Sequence, residues 1–211
     1  MKIKVCGTRD AGNIAALCAL PVDMIGFVFH APSPRHAGTL EPGITRAIPS
    51  SIHKVGVFVN ASEEEVTRQA RRHDLQAAQL HGDEPPHLCR ALRERGLQVI
   101  KAIPMQAGAS ARALAAPYAG ACDFLLFDTR TPARGGSGRK FDWRLLDAYD
   151  GPVPFLLGGG IGPEDATGPL RALDHPMLHA IDLNSRFETA PGIKDIRAIR
   201  QFITTLNAIK Q

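Results

Sequence analysis

The most constraining feature of this 211-residue chain is a repeated alternation of short apolar, β-rich runs with segments of helical composition. The runs are KIKVC at 2–6, DMIGFVF at 23–29, HKVGVFVN at 53–60 and QAAQLH at 76–81, followed by LQVIKAI at 97–103, CDFLLFD at 122–128, VPFLLG at 153–158 and MLHAIDLN at 177–184. The intervening segments carry helix signals. Ser62 opens SEEEVTRQARRH with Glu65 three residues on, a capping box. Residues 85–95 begin with prolines and end before Gly96, 163–173 begin at Pro163, and 193–209 carry an apolar spacing from Ile193 through Ile196, Ile199, Phe202, Ile203 and Leu206.

Strands that alternate with helices must run parallel, and eight units of about 26 residues suffice to close a barrel. The expected fold is therefore α/β, a single (β/α)8 TIM barrel over residues 1–211. A doubly wound sheet normally opens on a glycine-rich GxGxxG turn, and the first turn here, CGTRDAGN, lacks it. The second unit is the weakest, because AGTLEPGITRAIPS offers only a short helix.

Charge and cysteine content narrow the function classes. The net charge of +4 comes from Lys and Arg scattered among 21 acidic residues, and two Tyr with one Trp supply little stacking surface. A modest preference for phosphate or carboxylate substrates fits this balance better than nucleic-acid binding. Cys6, Cys18, Cys89 and Cys122 form neither a CxxC pair nor a zinc spacing, which points to a reduced protein without a metal site. The N-terminus lacks a secretory apolar stretch and no run is long enough to cross a membrane, so a cytoplasmic protein is expected, as monomer or homodimer.

In such a barrel, chemistry belongs at the C-terminal ends of the strands. Those positions hold Cys6, His30 with Arg35 beyond it, Asn60, His81, Asp128, Gly158 to Gly160, and Asp182 with Asn184 and Ser185. Cys6 shares strand parity with Lys2 and Lys4, so it points into the mouth, where Lys4 would favour its thiolate; a buried, inert cysteine is the alternative. Asp128 ends an otherwise hydrophobic strand as a cap, an Arg partner or a proton carrier. The loop TRTPARGGSGRKFDW after it is either a lid that closes over a ligand or a disordered connector. LLGGGIGPED lets backbone N–H groups of Gly159 and Gly160 face an anion at the helix starting near Pro163. Arg35 in HAPSPRHAG takes a carboxylate or stands in solvent, and His81 is an acid/base, a substrate donor or a hydrogen-bonded barrel histidine.

Taken together, KVCG at 4–7, GFVF with SPR at 26–35, VGVFVN at 55–60, QLHGDE at 79–84, FDT with GGSGRKFDW at 127–143, GGIGPED at 159–165, and DLNS with FE and PGIKD at 182–195 resemble the phosphoribosylanthranilate isomerase family of tryptophan biosynthesis. The resemblance spans nearly the whole chain. It implies an Amadori rearrangement with the cysteine of KVCG, Cys6, as general base and the aspartate of FDT, Asp128, as general acid, and needs no cofactor. It also implies that Arg35 holds the anthranilate carboxylate, that His81 and Asp182 contact the substrate, and that the phosphate sits on Gly159, Gly160, Asn184 and Ser185. Arg186 departs from the family pattern, which usually has a small residue there; it either adds a cation to the phosphate loop or points to solvent. Leu157 and Gly158 also stand where many members have small residues before the paired glycines. A dual-substrate isomerase also acting in histidine synthesis, and a silent metabolite-binding barrel, are the alternatives.

Overall fold

The computed structural model describes residues 1–129, 140–167, 170 and 175–208. Eight parallel strands close in sequence order, β1 (Lys2–Val5), β2 (Met24–Val28), β3 (His53–Phe58), β4 (Ala77–Leu80), β5 (Gln98–Met105), β6 (Phe124–Thr129), β7 (Phe155–Leu157) and β8 (Leu178–Leu183). Each lies within one of the eight apolar runs, except that β5 and β6 continue for one or two residues beyond theirs. The runs are continuous rather than alternating because a parallel strand is covered on both faces, inside by the barrel filling and outside by helices.

Inside, Met24, Val55, Ala77, Ile100, Ala102, Leu126, Leu156 and Ala180 form the buried filling, large residues alternating with alanines. Outside, α1 (Ala11–Cys18), α3 (Glu63–His73) and α4 (Pro86–Glu94) cover the strands. The N-cap half of the expected capping box forms, with Ser62 Oγ accepting from the Glu65 amide at 3.1 Å, while the Glu65 carboxylate accepts from Arg68 and Gln69 along the helix. Glu63, Glu64 and Glu65 lie in its first turn and Arg71, Arg72 and His73 in its last, which complements the helix dipole at both ends. The short second helix is α2, five residues over Pro42–Arg46.

Two expectations are corrected. Pro163–Thr167 is a 3-10 turn rather than the start of a regular α-helix; of the 163–173 segment, 168, 169 and 171–173 fall outside the described residues. Ile193 does not open the last helix. It belongs to a small antiparallel hairpin, β9 (Glu188–Ala190) with β10 (Ile193–Lys194), and the helix runs over Ile196–Ala208. The two-residue strand is too short to register against the helical spacing that follows it.

Barrel closure sets up the site. β1 pairs with β8 so that Lys4 stands opposite Asp182 and Val5 opposite Leu183, bringing together residues 178 positions apart.

Candidate active site

Strand parity delivers four of the expected residues to one place. Asp128 follows Leu126, Asp182 follows Ala180 and His81 follows Ala77 and Gln79, each two or four residues along from a side chain of the barrel filling, so each turns inward. Cys6 turns inward likewise, against Val28 and Val57. Loops would have placed them less rigidly.

The four side chains interact. Lys4, fully buried, places its ammonium 2.9 Å from Asp182 Oδ1. Burial alone would lower the Lys4 ammonium, but Asp182 and Cys6 together lift it above its ordinary value, so it is a standing positive charge at the floor of the mouth. On the far wall, His81 Nε2 lies 3.2 Å from Asp128 Oδ2, and His81 Nδ1 lies 2.9 Å from Gln79 Nε2. If Gln79 donates there, Nδ1 is the acceptor and the ring proton sits on Nε2, facing Asp128. Burial pushes the Asp182 carboxyl above its ordinary range, opposed by Lys4 and His81 and reinforced by Asp128. Asp182 thus links the Cys6–Lys4 side to the His81–Asp128 side.

Cys6 departs from the simple expectation. Its thiol is pushed up by burial; Lys4 and Lys194 pull it down, while Asp182 adds to the rise. The lysine acts in the expected direction, but desolvation outweighs it, so the neutral thiol predominates in the free protein at neutral pH.

Arg35 takes a carboxylate in a two-pronged contact, as one reading of its loop expected, but the carboxylate is the protein's own Glu188. It is neither in solvent nor free to offer its whole fork: Nε lies 2.9 and 3.1 Å from the two carboxylate oxygens of Glu188, and Nη2 lies 2.7 Å from Oε2. This two-pronged grip leaves Nη1 for a further carboxylate. Glu188 was visible in the sequence only as part of an FE pair, since its partner lies 153 residues away. The Arg35 stem reaches the rim of β1 because Gly7 has no side chain. A Cβ there would stand 2.7 Å from Arg35 Cδ and 2.9 Å from Asn184 Oδ1, and the φ of +78° already favours glycine.

The glycine turn after β7 adopts the form an anion site requires. Gly159 and Gly160 have φ of +81° and +72°. Among the described residues, no group accepts a hydrogen bond from their amides or from that of Ser185. Ser185 opens a 3-10 turn after Asn184, so two loops present unpaired N–H groups after β7 and β8. The amide of Gly162 is not available: Asp165 Oδ2 accepts from it at 2.7 Å. The amides left unpaired here therefore belong to the turn itself rather than to the Pro163–Thr167 segment after it. Arg186 is exposed at the rim of this turn: its guanidinium pairs with Glu164 at 3.0 Å and lies against Gly162, where a Cβ would stand 2.7 Å from its Nε. Lys140 joins this rim, bonding Asp165 at 2.6 Å and Glu164 at 3.1 Å. The loop after β6, read as lid or connector, falls, for residues 130–139, outside the described residues.

Sequence reasoning also missed the support beneath His81. Lys101, buried, donates to the carbonyls of Leu80 and Gly82 and pairs with Glu84 at 2.9 Å, while Glu84 accepts from the amides of Asn60 and Gly82. This fixes the turn that carries His81. Its only signal in the sequence was a lysine inside an apolar strand.

Comparison with known proteins follows the same lines. Residues 3–205 match the family model described as N-(5'phosphoribosyl)anthranilate (PRA) isomerase. An N-(5'-phosphoribosyl)anthranilate isomerase of Parabacteroides distasonis is 44% identical over 205 residues, 96% of this chain and 92% of that protein. The crystal structure of the Thermus thermophilus phosphoribosyl anthranilate isomerase superposes with a TM-score of 0.84 at 32% identity, covering 99% of this chain and 100% of the other. A further phosphoribosyl anthranilate isomerase, in complex with reduced 1-(o-carboxyphenylamino)-1-deoxyribulose 5-phosphate, superposes with a TM-score of 0.81 at 31% identity, covering 99% of each chain.

Proposed function

Because the chain belongs to the N-(5'-phosphoribosyl)anthranilate isomerase family, we propose that it converts N-(5-phosphoribosyl)anthranilate to 1-(2-carboxyphenylamino)-1-deoxyribulose 5-phosphate in tryptophan biosynthesis, with Cys6 as base and Asp128 as acid. The observation that carries this reading is the convergence of Cys6, His81, Asp128 and Asp182 on one linked set of charges beside an unpaired glycine turn.

The chemistry assigns each group a task. Asp128 delivers a proton to the furanose ring oxygen; the bond from that oxygen to C1 breaks as the nitrogen lone pair forms a protonated Schiff base. The Cys6 thiolate then removes the C2 proton, and the electron pair left behind neutralises the iminium as an enolamine. Loss of the enol proton and protonation of C1 give the aminoketose. Lys4 opposes the cost of forming the thiolate in a dry mouth, and His81 holds the Asp128 carboxyl in place. Arg35 Nη1 takes the anthranilate carboxylate, Asp182 and His81 contact the sugar, and the phosphate sits on Gly159, Gly160, Asn184 and Ser185.

A substrate with anionic groups at both ends suits a basic protein that has no continuous basic patch. Among the described residues no helix is long and apolar enough to cross a membrane. The test is direct: purified protein is mixed with freshly generated phosphoribosylanthranilate and the loss of its fluorescence is followed. Acceleration over the spontaneous decay is expected. No acceleration refutes the function.

A further inference from the structure

Lys194, on β10, has no part in the scheme above, yet its side chain is fully buried and meets both ends of the site. Its ammonium donates to Asn184 Oδ1 at 2.9 Å and to Glu188 Oε1 at 2.7 Å. Glu188 is the carboxylate that grips Arg35, and Asn184 opens the turn that presents the Ser185 amide. The backbone of Lys194 is pinned in turn: Asn13 Oδ1 accepts from its amide at 2.8 Å, and Asn13 Nδ2 donates to its carbonyl at 2.8 Å. The hairpin is thereby fixed to α1 rather than hanging from β8.

We propose that Lys194 is a positioning residue that couples the two anion sites, holding the Arg35 clamp through Glu188 and the phosphate turn through Asn184. This rests on the isomerase reading given above. A purely structural role accounts poorly for a charge here. Burial pulls the Lys194 ammonium below its ordinary value despite Glu188 and Cys6, so the charge costs folding free energy that a methionine of similar length would not. What the charge supplies is balance. Lys4, Arg35 and Lys194 face two carboxylates, Asp182 and Glu188, across the β1 and β8 side of the mouth, with His81 and Asp128 on the opposite wall. When Asp128 carries its proton and His81 is neutral, one positive charge is left over, and a Cys6 thiolate matches it. The Lys194 charge does act on Cys6, in the direction that favours the thiolate.

The experiment uses the full chain with Lys194→Met, Glu188→Gln and Asn184→Ala, and two single-ended probes, anthranilate and inorganic phosphate. For Lys194→Met we expect both dissociation constants to rise by about tenfold or more, and the acid limb of the kcat/KM profile to move to higher pH. Glu188→Gln weakens anthranilate much more than phosphate, and Asn184→Ala does the reverse. Weakening of only one probe by Lys194→Met, or unchanged binding with an unmoved acid limb, overturns the coupling. Should Lys194→Met not fold, the two other variants decide: unchanged anthranilate binding in Glu188→Gln or unchanged phosphate binding in Asn184→Ala overturns it. A failure of the isomerase reading is distinct, because the unsubstituted protein would then not turn over phosphoribosylanthranilate.

Discussion

Replacing Lys4 by Met separates the energetic role of the buried ion pair from its chemical one. Lys4 is fully buried and its Asp182 partner side chain is 8% exposed, so the substitution leaves a carboxylate in a dry barrel mouth without its nearest cation. Breaking a buried pair on one side costs about 3 to 5 kcal/mol. At an m value of about 2 kcal/mol/M this moves the urea midpoint down by about 1.5 to 2.5 M. The double variant Lys4→Met/Asp182→Asn removes both charges and recovers about 2 kcal/mol or more of that loss. The sign with pH follows from the directions of the shifts. The Lys4 pKa is raised on folding, so its stabilisation is fully present below its unfolded value and is lost as pH rises through the folded one. In Lys4→Met the lone Asp182 carboxyl, already raised by burial, keeps a folded pKa above its unfolded one. Its penalty is therefore largest at neutral pH and relaxes as pH falls through the folded value. Urea unfolding of the three proteins between pH 5 and pH 9 is the check: the Lys4 contribution stays constant across this window, and only the Asp182 penalty of the single variant relaxes toward its acid end. A loss below about 1 kcal/mol in the single variant, or a double variant no more stable than the single, refutes the reasoning.

Gly159→Ala puts a Cβ 2.8 Å from the Thr129 amide nitrogen at a φ of +81°, so the turn must shift; we expect a loss of about 1 to 3 kcal/mol and a rise in KM larger than the fall in kcat, read by urea unfolding and steady-state kinetics. An unchanged KM contradicts the phosphate assignment. Because burial holds the Cys6 thiol up and the base acts as thiolate, kcat/KM rises with pH and is still rising above pH 8; a plateau already reached at pH 6 shows that another group is the base. Arg186→Gly breaks an exposed pair with Glu164, worth about 0 to 1 kcal/mol, and should change KM less than about threefold; a larger loss places Arg186 on the phosphate.

The strands were legible because continuous apolar runs carrying Cys6, His81, Asp128 and Asp182 at or within two residues of their ends give both the parallel-sheet signal and the inward parity of those residues. The glycine turn was legible as well, since only glycine tolerates its two positive φ values. What stayed hidden was set by pairing across the chain. Nothing local in HAPSPRHAG says that Arg35 is met by Glu188, 153 residues on, and nothing in PGIKD says that its lysine turns back under Asn184. The β9/β10 hairpin spans seven residues, less than one period of evidence beside the longer apolar spacing of the helix after it. The balance at Cys6 was equally out of reach: the sequence places a cation nearby, but only burial, a tertiary quantity, makes the thiol prevail.

The central claim is that Cys6 and Asp128 carry the protons of an aldose–ketose isomerisation. Its most direct test is the turnover of freshly generated phosphoribosylanthranilate by Cys6→Ser and Asp128→Asn beside the unsubstituted protein, with folding checked by circular dichroism. The account predicts a fall in kcat of about 10²-fold or more in each variant, the scale of a lost acid or base, with the fold intact. Near-normal turnover by either variant contradicts it.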